Sequence, residues 1–279
     1  MSLLPRIRHP RLLLGGLTFG ALLVAALFAP WLGGQDPMAQ SLLDQLLPPA
    51  WSVDADPRHL LGTDNLGRDV LSRLIHGARP AVIVMLLGAA ASGLVGTVLG
   101  LLAGYFGGVV DAVVSRVVEI FMSFPQMLLA IVLVAVVGPG LGAVVCAVAL
   151  VGWTRFCRVI RGEAKRLREL DFVLSARTLG VGALRILWHE LLPNLLPVLS
   201  VLFALEMGRA IIVEVLLSFI GFSASDVPTW GGMIADGRAY INQGWWVMAI
   251  PILVVGLSVL GLNALGDGLR EAVDPLEQQ

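Results

Sequence analysis

The chain has 279 residues, of which 57% are hydrophobic and 14% are charged, and its formal net charge is −1. An ordinary soluble domain is about 45–50% apolar and about 25% charged, so this composition argues against a water-soluble globule. Without a net basic charge, the chain also gives no reason to expect a nucleic acid as a partner.

Six apolar runs follow one another along the chain, at residues 12–32, 80–106, 117–137, 141–156, 195–220 and 245–265. A membrane-spanning helix needs about 20 mostly apolar residues, so the runs predict an all-α polytopic membrane protein with about six transmembrane helices. The first run also resembles a signal peptide, but it lacks a clear small-residue cleavage site, and we expect a retained helix. Pro125 interrupts the third run and predicts a kink there.

Basic residues predict the orientation of these helices. Arg6, Arg8 and Arg11 precede the first run, and the positive-inside rule therefore places the segment 1–11 in the cytoplasm. Six crossings then return the tail 267–279 to the cytoplasm, and the segment 33–79 forms an external loop. The segment 162–193 is rich in Lys and Arg and falls inside, whereas 221–244 has Arg238 as its single basic residue and falls outside.

Small residues recur at every fourth position of the second run. Such a face lets another helix backbone approach closely. Packing within one bundle is our first interpretation, and a seam between two subunits is the alternative. The positions are Gly88, Ser92, Gly96, Gly100 and Gly104.

Three charged residues, Glu206, Arg209 and Glu214, lie in the fifth run. A charge facing lipid at the centre of a span costs roughly 2.5–3.5 kcal/mol on insertion scales, so we expect all three to face a cavity or a partner helix. Glu206 and Arg209 have the i, i+3 spacing that allows pairing. The three residues are therefore candidates for a translocation path, and a neutralising pair that fixes helix packing is the equal alternative.

The polar segment 162–193 is too polar to span the membrane but is rich in helix formers. Asp171 is expected to cap a short helix, and Gly180 and Gly182 to end it. The apolar side of this helix includes Phe172 and Val173. A short helix of this kind suits a groove on a partner protein, or else the headgroup layer of the membrane.

The same segment resembles the EAA loop of ABC importer permeases, in which EAA, three residues and Gly are followed after nine residues by I-x-L-P. Ala176 and Gly180 match this pattern, and so do Leu192 and Pro193. The sequence departs from it at Leu174 and Ser175, which replace Glu and Ala, and at Glu190, which replaces Ile. The coupling residues that the resemblance implies are Leu174, Ser175, Ala176, Arg177, Gly180 and Pro193.

Three further stretches are similar to the dipeptide, oligopeptide and nickel permease family. They are HLLGTDNLGRDVLSRLIHGAR at 59–79, EVLLSFIGF and PTWGGMIADGR within 214–238, and GDGLREAVDP at 266–275. In the first stretch we expect GTDNLGRD to form a structured turn before the second helix, with Arg68 and Asp69 paired. The resemblance extends over nearly the whole chain.

This family implies a type I ABC importer permease fold with a core at 80–266, which includes a cytoplasmic coupling helix. It implies a bacterial inner-membrane complex with a second homologous permease, two ABC ATPase subunits and an external solute-binding protein. ATP and Mg²⁺ would be used by the ATPase subunits, while this chain would bind no cofactor or metal and would catalyse no reaction.

Other functions remain to be weighed against this one. Lys165 is the only lysine of the chain and lies in no G-x-x-x-x-G-K-[ST] loop, which argues against ATP hydrolysis by the chain itself. Composition alone also suits a secondary transporter or a channel, since the charged residues of the fifth run would serve an ion path. Within the family, a peptide is the first substrate expected, and nickel or a metallophore is the alternative.

Overall fold

The computed structural model describes residues 10–222 and 227–273, and the regular structure of these ranges is helical apart from an isolated bridge between Thr63 and Asp69. A 3₁₀ turn at Leu42–Asp44 lies in the first long connection, and a π-helical turn at Ile186–Leu191 precedes α9. The α-helices are α1 (Pro10–Leu27), α2 (Ala29–Leu32), α3 (Val70–Phe106), α4 (Gly108–Ser123), α5 (Gln126–Val137), α6 (Leu141–Arg168), α7 (Asp171–Thr178), α8 (Ala183–Arg185), α9 (Leu192–Phe219), α10 (Trp230–Arg238) and α11 (Trp245–Val273).

Within the described ranges, five helical segments are long and apolar enough to cross a membrane, namely α1, α3, α6, the continuous segment 183–219 and α11. A sixth span is reached when α4 and α5, which are bent by 88° at the break between them, are counted as one broken span. The end of α3 lies beside the end of α6, because Arg168 donates a hydrogen bond to the carbonyl of Tyr105. The start of α6 shares a cavity with Pro80 near the start of α3. The chain between α3 and α6 therefore passes from one end of the bundle to the other.

The two ends of the bundle differ in what they carry. One end holds α7, the last turns of α3 and α6, and both ends of the described chain, since Arg11 forms an ion pair with Glu271. We call this the α7 end. The opposite end holds the connection 33–69 and α10, whose Asp236 contacts Arg68 just before α3. We call this the α10 end.

Several helices differ in extent from the apolar runs. α3 begins at Val70 instead of residue 80, because the carboxylate of Asp69 accepts a hydrogen bond from the backbone N–H of Ser72 at 2.7 Å and caps the helix. The last ten residues of the predicted external loop 33–79 therefore belong to α3, and the connection before the helix ends at residue 69. α6 continues to Arg168 and α11 to Val273, so each of these helices extends beyond its apolar run into charged sequence.

The third apolar run is two helices instead of one. α4 ends at Ser123, and α5 begins after Pro125. Phe124 has the extended conformation (φ −91°, ψ 143°) that a residue before proline prefers, and Pro125 has no N–H with which to continue the helix. The kink expected at Pro125 is thus a sharp bend.

The small-residue face of α3 packs against α6 within the same chain. Methyl groups built at Gly88, Gly96 and Gly104 meet, in turn, Val148, the carbonyl of Trp153 and the side chain of Ala164. Both helices run in the same direction along this contact, and Ser92 donates a hydrogen bond to the carbonyl of Val148. The interpretation of these residues as packing within one bundle is confirmed.

Gly96→Ala is expected to lower the free energy of unfolding by about 1–3 kcal/mol, because its methyl group meets the carbonyl of Trp153 and the side chain of Phe156. Gly162→Ala in α6 is the matched control, since a methyl group there meets no atom within 4 Å. Alanine also favours helix over glycine, so the control keeps or slightly gains stability. Thermal unfolding of both purified variants in detergent compares them, and equal melting temperatures would contradict the close packing of α3 on α6.

Candidate functional site

Helix α7 lies at the α7 end and is held to the bundle by a buried side chain, Val173, which we call its anchor. Val173 is fully buried and packs in one apolar cluster with Ile160 of α6 and with Ile186 and Leu191 of the π-helical turn. The N-cap position is Leu170, and the side chain of Asp171 makes no capping hydrogen bond, so the expected cap was wrong. Asp171 nevertheless stands in the first turn, where a carboxylate complements the helix dipole.

Gly180 ends α7 in the way that the sequence indicated. The N–H of Gly180 bonds to the carbonyl of Arg177, and the N–H of Val181 bonds to the carbonyl of Ala176, both at 3.0 Å. This pair of hydrogen bonds is the Schellman motif, which needs a left-handed residue after the helix, and Gly180 supplies it with φ +76°. The end of α7 is therefore tightly defined.

The outer side of α7 presents apolar groups to the surroundings. Leu174 is 45% exposed and Leu179 is 82% exposed, while Ala176 is half-buried against the anchor. Arg177 lies with its guanidinium carbon 4.5 Å from the centre of the Tyr105 ring, a cation–π contact that holds α7 to the end of α3. The helix that carries these exposed side chains is thus fixed to the rest of the bundle.

The structure places the predicted coupling residues in two locations. Leu174, Ser175, Ala176 and Arg177 belong to α7, and Gly180 follows it directly. Pro193 belongs instead to the first turn of α9, behind the π-helical turn. The EAA-like segment therefore contains an exposed helix and the beginning of the next span.

Ion pairs between α4 and α6 lie in the chain segment just before α7. Asp111 in the first turn of α4 receives hydrogen bonds from Arg161, whose Nη2 lies at 3.0 Å, and from Lys165 at 2.7 Å. These contacts tie α4 to α6 immediately before α7. Since the residues are about 50 positions apart, no local pattern reveals them.

Glu206 and Arg209 do approach each other, but Glu206 has a second and nearer partner. Its carboxylate oxygen Oε2 lies 3.7 Å from Arg209 Nη1 and 3.2 Å from Arg155 Nη1 of α6. Arg155 also donates a hydrogen bond to Gln126, the first residue of α5. All four side chains line a cavity of about 370 Å³ beside the α4–α5 bend. The site therefore holds two guanidinium groups and one carboxylate.

Glu206→Gln is expected to lower the free energy of unfolding by roughly 1–3 kcal/mol, because Arg155 and Arg209 then share a cavity without a counter-charge. The expected loss is smaller than the about 3–5 kcal/mol found for fully buried pairs, since Arg209 is half exposed. Glu119→Gln is the matched control, because its pair with Arg116 is on the surface. Thermal unfolding is the measurement, and an unchanged melting temperature for Glu206→Gln would show that the charges are not coupled.

Glu214 lies apart from the other two charged residues of α9. It is 2% exposed, and its Oε1 accepts a hydrogen bond from Ser218 at 2.7 Å. It lines a different cavity, of about 280 Å³, together with Arg79 and Thr229 towards the α10 end. All three charges were expected to face a cavity or a partner helix, and the structure brings only Glu206 and Arg209 together, while Glu214 lines a second cavity.

The motif GTDNLGRD forms the expected structured turn, but its charges pair differently. The Asp64 carboxylate accepts hydrogen bonds from the N–H of Leu66 and of Arg68, from the Arg68 side chain at 2.7 Å, and from Arg73. Asp69 pairs with His59 at 2.9 Å. The expected pair of Arg68 with Asp69 was therefore wrong.

Asp236 of α10 joins this turn to the second family-specific stretch. It lies 2.9 Å from Arg68 and 3.3 Å from Arg73. Nearby, the indole N–H of Trp230 donates to the carbonyl of Leu74 at 2.9 Å. Two stretches that are more than 150 residues apart thus form one charged unit at the α10 end.

Among residues 10–222 and 227–273, no group of three or more His, Cys, Asp or Glu side chains is arranged to hold a metal ion.

Sequence comparisons identify relatives of the whole chain. Residues 96–278 match the family described as the binding-protein-dependent transport system inner membrane component. The di/tripeptide transport system permease protein DppC of Pseudomonas aeruginosa is 41% identical over 269 residues, which cover 96% of this chain and 89% of that protein. The dipeptide transport system permease protein DppC of Bacillus subtilis is 36% identical over 273 residues, which cover 97% and 83%.

Solved structures show the same architecture. The MetNI methionine ABC transporter in inward-facing conformations matches with a TM-score of 0.58 and 19% identity, over 72% of this chain and 96% of that chain. An amino acid ABC transporter solved with histidines matches with a TM-score of 0.53 and 17% identity, over 72% and 94%. At these identities the likeness concerns the fold alone, and it confirms the type I importer permease fold. The chain belongs to the binding-protein-dependent inner-membrane components, the permeases of ABC importers, and among these to the dipeptide permease family.

Proposed function

We propose that this chain is one of two permease subunits of an ATP-driven importer that carries peptides across the bacterial inner membrane. Relatives that share 36–41% of its residues along nearly the whole chain are named as dipeptide or di/tripeptide permeases, and this supports a peptide as the substrate. The partners are a second homologous permease, two ABC ATPase subunits and an external solute-binding protein. The chain forms half of the translocation pathway.

The observation that carries this proposal is the exposed outer side of α7. Leu174 and Leu179 expose apolar side chains on a helix that is anchored by Val173 and closed by Gly180. A short, rigid helix with exposed apolar groups fits a groove on a partner protein. We assign this groove to the ATPase subunit, so that motion of the ATPase pair moves α7 and, through its anchor, the ends of α6 and α9.

ATP and Mg²⁺ are bound by the ATPase subunits in this scheme. Lys165 contacts Asp111, which makes it part of the connection between α4 and α6. In this scheme, ATP hydrolysis changes the conformation of the ATPase subunits, and their motion is transmitted to this chain through α7. A rigid connection suits that task, because a mobile helix would absorb the motion instead of passing it on.

The α7 end faces the cytoplasm in this proposal. Basic residues concentrate there, since Arg166, Arg168, Arg177 and Arg185 lie at or near α7 and Arg11 and Arg270 lie on the first and last spans. The positive-inside rule favours this orientation. Both termini are then cytoplasmic, and the α10 end receives the solute-binding protein outside.

Purification of the chain in mild detergent, after expression with its chromosomal neighbours, tests the proposed assembly. We expect mass spectrometry to find a second permease and two nucleotide-binding chains, with ATPase activity that the binding protein stimulates. Recovery of the chain alone would contradict the proposal and favour a secondary transporter or a channel, with Glu206, Arg209 and Glu214 as its leading site.

A further inference from the structure

The cavity beside Glu214 has the chemistry of a site for a zwitterion. Glu214 is almost fully buried, and its Oε2 has no hydrogen-bond partner among the described residues, although Ser218 donates to Oε1. A buried carboxylate oxygen without a partner is costly and calls for a cation or a donor. The Glu214 side chain also lines the cavity, together with Ser218 and Thr229.

Arg79 supplies the opposite charge at the same cavity. Its side chain lines the space and is exposed, and among the described residues it forms no ion pair with Glu214. The remaining surface is mostly apolar, with Pro80, Ile83 and Leu141 on the walls. A buried carboxyl group and an exposed guanidinium group in one mostly apolar cavity complement a molecule with an ammonium group at one end and a carboxylate at the other.

The cavity has the position and size that this ligand requires. Its volume of about 280 Å³ has room for a small peptide or for the terminal residue of a longer one. Glu214 lies five residues before the end of α9 at Phe219, which corresponds to about 7.5 Å of helix rise. The site is therefore close to the α10 end, where a substrate would enter from outside.

We propose that this cavity is a peptide subsite in which Glu214 binds the terminal ammonium group and Arg79 contacts the carboxylate. The proposal rests on the peptide import proposed above, and it assigns a direct role in substrate binding to this permease. Ser218 is the positioning residue, since its hydroxyl donates to Oε1 and Oε2 has no partner among the described residues that would compete with the ligand.

Direct binding of dialanine to the purified complex in nanodiscs, without the binding protein and without ATP, tests the subsite. We expect saturation-transfer NMR to show that Glu214→Gln raises the dissociation constant about 10- to 100-fold, the range of one hydrogen bond to a charged group. N-acetyl-dialanine, which lacks the ammonium group, should bind weakly to the wild-type and the Glu214→Gln complexes alike. Glu119→Gln is the control and should bind dialanine as the wild type does.

A second variant keeps the test decisive if Glu214→Gln fails to fold. Arg79 is exposed, so Arg79→Gln is expected to fold, to weaken dialanine binding and to leave the binding of dialanine amide unchanged. Equal binding of dialanine and N-acetyl-dialanine to the wild type, unchanged binding in both variants, or no dialanine binding would overturn the subsite. A complex that binds as expected but shows no ATP-driven uptake would support the subsite and contradict the proposed importer.

Discussion

Asp64→Asn is expected to lower the free energy of unfolding by about 3–5 kcal/mol, more than any other single change in this chain that we consider. The Asp64 side chain is fully buried and accepts hydrogen bonds from two backbone N–H groups and from Arg68 and Arg73. Asparagine keeps one acceptor but removes the charge. Two buried guanidinium groups are then left with Asp236, which is itself 38% exposed.

Asp56→Asn is the matched control for Asp64→Asn, because it removes a carboxylate from the same connection. The Arg58 side chain donates hydrogen bonds that lower the pKa of Asp56 to about 2, but this pair is at the surface, where Arg58 is 67% exposed. Thermal unfolding in detergent should show a large loss for Asp64→Asn and a much smaller one for Asp56→Asn, because an exposed pair contributes little. Similar melting temperatures for the two variants would mean that the charged unit at the α10 end does not hold the fold.

Leu179→Glu is expected to reduce peptide uptake at least about 10-fold and to weaken recovery of the ATPase with the permease. A carboxylate placed in an apolar groove loses its hydration without gaining a partner. Because Leu179 is 82% exposed, the change should leave the melting temperature of the isolated chain as it is. The effect therefore separates docking from folding.

Leu43→Glu is the matched control for docking. Leu43 is 97% exposed and lies in the connection 33–69, at the end opposite to α7. Its replacement should leave the recovery of the ATPase unchanged. Full recovery of the ATPase with Leu179→Glu would remove α7 from the interface.

The sequence predicted the spans well because their chemistry is local. A helix that faces lipid must consist mostly of apolar residues. The apolar runs that correspond to α1, α3, α6, α9 and α11 therefore reveal these helices in the sequence itself. The helix ends were less predictable, because they depend on caps and on polar turns. Asp69 starts α3 ten residues before the apolar run, and the charged last turns of α6 extend it past its own run.

The charge partners could not be predicted, because their separation along the chain is long. Arg155 is 51 residues from Glu206, and Asp236 is 168 residues from Arg68. Arg155 did offer a signal, since it lies inside the fourth apolar run, 141–156, where a charge needs a partner. Ser218 offered another, because its i+4 spacing from Glu214 allows the hydrogen bond that the structure shows. Only the fold brings the remaining partners together.

The same limit applies to α7. The end of α7 at Gly180 could be predicted from the sequence, since the left-handed conformation that ends a short helix is a local requirement that glycine meets. The burial of Val173 under Ile186 and Leu191 was not, because it depends on how the π-helical turn folds back onto α6. This burial decides which side of α7 is exposed, and so which residues are offered to a partner.

Uptake of dialanine into proteoliposomes tests the proposed importer most directly. The complete complex, with ATP inside the vesicles on the α7 side and the binding protein on the α10 side, should accumulate the peptide. Omission of ATP, of the ATPase subunits or of the binding protein should abolish accumulation. Equal uptake by this chain alone, without ATP, would contradict the assignment of α7 as the link to an ATPase.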